Sequence, residues 1–324
     1  MNKFKKIGLT ALAASLVSVS ANAGELTISG AASLGIGGYS GTKYDGGTTF
    51  SMGNQVTLSG SGELDNGLTV SISYQMDENE ESGANGPFDD HSLTISSDTM
   101  GSLTFSGHGA GSATSAMDAT AAGNIWDAFD GSLGQVTGVG HSNSASGDNS
   151  FNYVAPTIME GVKIDLSYAP QAAGSTIDSG MGYAVTYTGV EGLTLAYSNS
   201  DIVGTSSDLS GDQTAWKVSY AYGPITATMT QSEYDVVTTT SDQDVSSYAV
   251  SYTINDEMSV TYGTDTIEST SSGDVDAEYT VLSGSYTAGG MTISANIKEG
   301  ENIDHSTNAN ADFEYWGLGL AFAF

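Results

Sequence analysis

Three carboxylates, Asp118, Asp127 and Asp130, sit in one long polar stretch that runs from Ala110 to Asp148. Carboxylates so placed can do three kinds of chemistry. They can move protons, ligate a hard cation, or draw mobile cations by charge alone. Proton-transfer or nucleophilic catalysis needs partners, and the sequence offers none in a recognisable pattern. The four histidines, His91, His108, His141 and His305, have no His-x-x-His-type spacing, and there is no cysteine. No Gly-x-Ser-x-Gly elbow and no His-Glu-x-x-His pair occurs. Ser and Asp are so abundant that a chance Ser/His/Asp set carries no information, so no enzymatic activity is expected. A second group of acids lies in polar connections: Asp77, Glu78, Glu80, Glu81, Asp89, Asp90, Asp242, Asp244, Asp274, Asp276, Glu301 and Asp304. A solvated rim and bridging by Ca²⁺ or Mg²⁺ are the two readings of that group. No full EF-hand loop is present, and no resident cofactor is expected.

The remaining charges narrow the partners. The formal net charge is −31, with seven lysines and no arginine. Phosphate backbones need Lys and Arg, so nucleic acid is excluded as a partner. Three of the lysines (Lys3, Lys5, Lys6) open "MNKFKKIGLTALAASLVSVSANA". A basic start, a short apolar run and Ala21-Asn22-Ala23 form a secretory leader, expected to be cut between Ala23 and Gly24. Residues 24–324 then form a single domain. The four lysines beyond the leader are Lys43, Lys163, Lys217 and Lys298.

A period of two runs through the rest. In "LTVSISY", Leu68, Val70, Ile72 and Tyr74 share one face and Thr69, Ser71 and Ser73 the other. "VKIDLSY" sets Val162, Ile164, Leu166 and Tyr168 against Lys163, Asp165 and Ser167. "AWKVSYAY" and "MTISANIK" repeat the pattern, with Lys217 and Lys298 on the polar faces. Seven tight turns, at Asp65, Asp98, Thr157, Gly189, Gly223, Asn255 and Ala288, alternate with eight longer polar connections. These lie near residues 40–47, 77–90, 110–149, 171–179, 201–211, 235–243, 267–276 and 300–311. Fifteen connections imply sixteen strands, with all turns at one end and all loops at the other. Strands that are apolar on one face and polar on the other, joined alternately by short turns and long loops, predict an all-β transmembrane antiparallel up-and-down β-barrel. The final "YWGLGLAFAF" would close it, with Trp316, Leu318, Leu320, Phe322 and Phe324 facing lipid. A soluble β-sandwich also alternates but does not require this turn and loop order.

The chain resembles the sixteen-stranded general porins of Gram-negative outer membranes, most closely the alphaproteobacterial type. The resemblance rests on "GELTISGAASLGIG", on "NSFNYVAPTIMEGVKIDLSYAP" (Asn149 to Pro170) and on the closing strand with its terminal Phe324. It implies a homotrimeric outer-membrane channel for passive diffusion of small hydrophilic solutes and ions. It also implies insertion by the barrel-assembly machinery, which reads the terminal aromatic strand (Phe324, Phe322, Trp316). In such proteins the third loop folds inward as a constriction. Here that loop is residues 110–149, which would present Asp118, Asp127 and Asp130 to the pore.

Parity turns Lys163, Lys217 and Lys298 into the lumen. Lys163 and Lys217 are expected on the side where the loop lies, as its anchors. The opposite wall is expected from the first strands and the last two. Its inward residues read Gln55, Thr57, Ser59, Glu63, Thr69, Ser71, Ser73, Thr94, Ser96 and His108, with Lys298 its one lysine. Relatives often place arginines there, and this chain has none. An acidic loop facing a mostly neutral wall predicts a preference for cations. A structural or adhesive barrel and a substrate-specific uptake channel are the alternatives.

Overall fold

The computed structural model describes residues 26–41, 47–77, 90–108, 112–117, 119–129, 149–171, 179–202, 211–236, 242–269, 275–305, 307 and 312–324. The leader with Ala23 and Gly24, and the loop acids Asp118 and Asp130, fall outside these residues. Within them the chain forms β1 (Thr27–Gly41), β2 (Thr49–Glu63), β3 (Thr69–Asp77), β4 (Asp90–Ser97), β5 (Gly101–His108) and β6 (Ser150–Val154). There follow β7 (Val162–Ala169), β8 (Gly180–Val190), β9 (Leu193–Ile202), β10 (Gly211–Tyr222) and β11 (Ile225–Val236). The last five are β12 (Gln243–Asn255), β13 (Met258–Ile267), β14 (Ala277–Ala288), β15 (Met291–Glu301) and β16 (Phe313–Ala323).

Each strand pairs antiparallel with its sequence neighbours, and β16 returns to β1, so the sheet is closed. Short turns and longer connections alternate between the strands in the expected order, with edges shifted by a residue or two: Gly189, Asn255 and Ala288, expected in turns, belong to the ends of β8, β12 and β14. Closure runs from Ala31 opposite Ala323 to Gly41 opposite Phe313. Beyond that register the Gly30 N–H donates to the Phe324 carbonyl at 2.7 Å, and the Phe324 N–H donates to the Gly30 carbonyl at 3.0 Å. The last residue is therefore hydrogen-bonded on both sides of its peptide rather than frayed.

The two faces of the wall are inverted relative to a water-soluble barrel. On β12, Val245, Ser247 and Ala249 point inward and are buried, whereas Tyr248, Val250 and Tyr252 point outward and are exposed. Outward Trp316, Leu318, Phe322 and Phe324 on the closing strand are exposed in the same way. So large apolar side chains face out while Ser and Thr line the interior, as lipid on one side and water on the other require. No helix among the described residues is long and apolar enough to cross a membrane; the strands supply the crossing.

Asx chemistry and glycine shape the tight ends. At the β12–β13 turn the Asn255 Oδ1 accepts the N–H groups of Glu257 and Met258, both at 2.9 Å. At the β4–β5 turn Gly101 has φ +75°, and a Cβ there would run into the Val154 carbonyl oxygen on the neighbouring strand. Gly67 has φ +80° with nothing within 4 Å of a Cβ. Gly101→Ala should therefore destabilise the barrel by about 1–3 kcal/mol, and Gly67→Ala by less. Urea unfolding in detergent, followed by tryptophan fluorescence, measures both. Equal midpoint shifts would mean that the Val154 contact contributes nothing.

Candidate functional site

The connection from β5 to β6 does not stay outside the barrel: its described part, 112–117 and 119–129, packs against the inner wall. Local chemistry shapes it first. Ser112 Oγ accepts the Thr114 N–H at 3.2 Å, capping a 3₁₀ turn over Ala113–Met117. Thr120 and Asn124 then tie a tight bend to itself. The Thr120 N–H donates to Asn124 Oδ1 at 2.9 Å, and Thr120 Oγ1 accepts the N–H groups of Gly123 and Asn124 at 3.1 and 2.9 Å. Asn124 sits at φ 49°, a conformation Asn tolerates better than most residues. A second 3₁₀ turn, Ile125–Ala128, follows.

Apolar contacts hold both ends of this segment. Met117 is fully buried with Ala196 on β9 and Ala215 on β10. Ile125, Trp126 and Phe129 are buried with Val245, Ile267, Ala277, Tyr279, Val281 and Phe313 from β12, β13, β14 and β16. The ring of Tyr279 lies 5.9 Å from Phe129 and 6.5 Å from Trp126, centroid to centroid. The Tyr39 hydroxyl on β1 closes the far end, donating to the Ala128 carbonyl at 2.6 Å.

Between these apolar ends the loop backbone rests on a polar shelf. Thr230, Ser247 and Asp265 are register partners on β11, β12 and β13. Thr230 Oγ1 accepts the Ala121 N–H at 2.9 Å, Ser247 Oγ the Ala122 N–H at 3.0 Å, and Asp265 Oδ2 the Ile125 N–H at 2.7 Å. All three acceptors are essentially inaccessible to solvent. A backbone donor buried without a partner costs roughly 1–3 kcal/mol, and this row removes that cost for three donors. Beside it Gly263 has no side chain where the loop presses closest; a Cβ there would lie 2.6 Å from the Ala122 Cβ.

The residues singled out from sequence divide between this site and the rest of the lumen. Asp127 is exposed on the second 3₁₀ turn, and its charge interacts with that of Lys298. Lys298 was expected on the wall opposite the loop; the loop instead reaches as far round as β15, which brings Lys298 beside it. Lys217 stands next to Thr230 in register, at the edge of the shelf. Lys163 pairs with Asp165 of its own strand at 2.9 Å. Two of the loop acids expected to meet it, Asp118 and Asp130, lie outside the described residues; the described part of the loop is anchored by Thr230, Ser247 and Asp265. His108 lies at the loop end of β5, its Nδ1 3.8 Å from Asp90 Oδ1. Asp77 and Asp90 are not loop acids as expected: they belong to β3 and β4, where register with Gln55 and Gln75 turns them inward. Asp244 and Glu301 likewise end strands rather than float in loops. Among the described residues no three His, Asp or Glu side chains converge as a metal site.

Comparison with known proteins gives one consistent answer. A family model described as Gram-negative porin matches residues 8–279. A solved structure described as the anion-selective porin from Comamonas acidovorans superposes with a TM-score of 0.68 at 15% identity, over 93% of this chain and 99% of that one. A triple mutant of the Rhodopseudomonas blastica porin superposes with a TM-score of 0.65 at 16% identity, over 93% and 100% of the two chains. No curated protein matches the sequence.

The shelf makes a measurable claim. Gly263→Val should lift residues 121–125 from the wall, leaving the barrel closed. Amide exchange at Ala121, Ala122 and Ile125 should then rise at least about tenfold, in line with loss of a bond of about 1.4 kcal/mol or more. Unchanged protection at those three amides would show that the loop is held elsewhere.

Proposed function

Because this chain belongs to the Gram-negative porin family, we propose that its outer-membrane channel passes small hydrophilic solutes by passive diffusion and prefers cations. The observation that carries the reading is the third loop, folded inside a closed sixteen-strand wall and fixed there. A barrel of this strand number leaves an aqueous passage unless something fills it. Here the filling is a loop that narrows one side of the lumen, and the rest of the inner face is largely Ser, Thr and Gly.

The sign of the preference follows from where the charges sit. Fold likeness cannot supply it, since one similar structure is described as anion-selective. Lys163 is paired with Asp165, and Lys298 is set between the charges of Asp127 and Asp265. No lysine or arginine lies on β1–β6 among the described residues. Asp77 and Asp90 face inward on that side, so the wall opposite the loop is acidic rather than neutral. A carboxylate ~5 Å from a monovalent cation contributes roughly 0.8 kcal/mol at water's dielectric, before screening. Several acting together support a severalfold enrichment of cations. Under a KCl gradient in a planar bilayer, the reversal potential should give K⁺ preference over Cl⁻ of that order. Asp127→Asn should reduce it, and clear Cl⁻ preference in the parent channel would end the reading.

The channel is further read as a homotrimer delivered through a leader removed after Ala23, with no catalytic role. Outward Gly30, Ala32, Gly60 and Gly62 leave a low surface on β1 and β2 for close approach of another barrel wall. Ca²⁺ or Mg²⁺ bridging the outer-loop acids completes this reading. Native mass spectrometry tests both parts: trimers of residues 24–324 should dominate, with bound divalent ions that a chelator strips. Monomers alone would refute the trimer, and masses unchanged by chelator would refute the bridging.

A further inference from the structure

The wall holds the chain on both sides of Asp127, which is exposed on the second 3₁₀ turn. Two residues before it, the Ile125 N–H donates to Asp265 Oδ2 on β13 at 2.7 Å. One residue after it, the Ala128 carbonyl accepts the Tyr39 hydroxyl on β1 at 2.6 Å. Within the turn, the Asp127 N–H donates to the Asn124 carbonyl at 3.1 Å, and the Phe129 N–H to the Trp126 carbonyl at 2.7 Å. The shelf ends at Ile125, so it fixes only the leading edge of the turn. The trailing edge is tied to the first strand of the barrel.

Tyr39 stands at the seam where β1 meets β16. Its register partner is Tyr315, and the two rings lie 5.0 Å apart, centroid to centroid. Gly37, on the same face of β1, leaves the space that Tyr315 fills. A Cβ there would lie 2.5 Å from the Tyr315 hydroxyl oxygen. Backed by that ring, Tyr39 packs against the cluster that contains Ile125, Trp126 and Phe129. Phe313, on the β16 side of the seam, is buried in the same cluster. The turn that carries Asp127 is therefore held from both strands of the seam.

A tyrosine suits this task. The last carbonyls of a helical turn have no donor further along the turn, and the wall backbone is already committed to the sheet. A phenol supplies one O–H donor at the tip of a rigid ring that turns about only two torsions. It therefore fixes the carbonyl at little cost in side-chain freedom. The position of the carbonyl matters because the pull of a carboxylate on a passing cation depends on distance. At water's dielectric, retreat from ~5 to ~10 Å halves the attraction, which lowers local cation enrichment roughly twofold.

The structure assigns Tyr39 as a positioning residue of the constriction: through the Ala128 carbonyl it sets how far Asp127 stands into the ion path. The inference rests on the cation reading above and adds the residue that places one of its carboxylates. Tyr39→Phe tests it, since this variant keeps the ring and removes the donor. In detergent, amide exchange at Asp127 and Phe129 should rise at least about threefold, as loss of one neutral hydrogen bond implies, while Ala121 and Ala122 keep their protection. In planar bilayers under a KCl gradient, K⁺/Cl⁻ preference should fall roughly twofold. In an Asp127→Asn background the same substitution should cause no further fall, because changes that act through one group do not add. Tyr153→Phe removes a comparable bond, the 2.8 Å donation to the Met100 carbonyl beside the β4–β5 turn. It should move neither measurement.

Unchanged exchange at Asp127 and Phe129 in Tyr39→Phe overturns the assignment. So does faster exchange with unchanged ion preference, or a fall in preference that persists in the Asp127→Asn background. A parent channel that shows no cation preference would end the cation reading, a separate failure, and the exchange rates would still decide whether Tyr39 holds the turn. The heat-dependent gel shift of each variant confirms that its barrel has formed.

Discussion

Every backbone N–H and C=O that lies in hydrocarbon must find a partner within the protein, because the membrane interior offers no water. The rest of this structure depends on that constraint. A sheet can meet it only by having no edge, and so the first and last strands must find each other across the whole sequence. The pairing of β1 with β16, continued by the reciprocal bonds of Gly30 and Phe324, is where the constraint is met. Closure then fixes everything that follows. It makes an inside and an outside, and it gives every side chain one of the two.

The same rule returns inside the barrel in a milder form. A loop pressed against a wall also loses water from its backbone. Its donors then need acceptors that the wall strands cannot supply from their own backbones, which are already paired. Thr230, Ser247 and Asp265 supply them from side chains one strand apart, and Gly263 leaves the space that lets the loop come close enough to use them. The apolar residues at either end of the segment contribute burial, while the shelf fixes register.

How much of this the sequence reveals follows from the kind of signal each feature leaves. Strand number, turn positions and the outward face of the closing strand depend on a period of two repeated many times, and a pattern so redundant survives errors of a residue or two. The inward loop was expected from the resemblance to general porins; its length set it apart, but no local pattern in it separates packing against the inner wall from covering the outer lip. Asp265 was not. In "SVTYGTDTI" it is one polar residue on an already polar face, and nothing local distinguishes a carboxylate that receives a distant amide from one that faces water. Asp77 and Asp90 were misplaced for a related reason. Strand ends are set by pairing with neighbours, and composition alone assigns an acid beside a polar loop to the loop. Lys298 was placed opposite the loop because the reach of an inserted segment around the wall depends on its folded path, which periodicity does not encode.

The shelf binds the loop by main-chain amides, not by its side chains. Any residue except proline carries an equivalent N–H, so the identity of the side chains at Ala121 and Ile125 does not enter the polar attachment. A descendant gene could therefore exchange the loop's charged residues one at a time and keep the aperture in place. Permeation properties could drift under selection without each step first having to survive a loss of architecture.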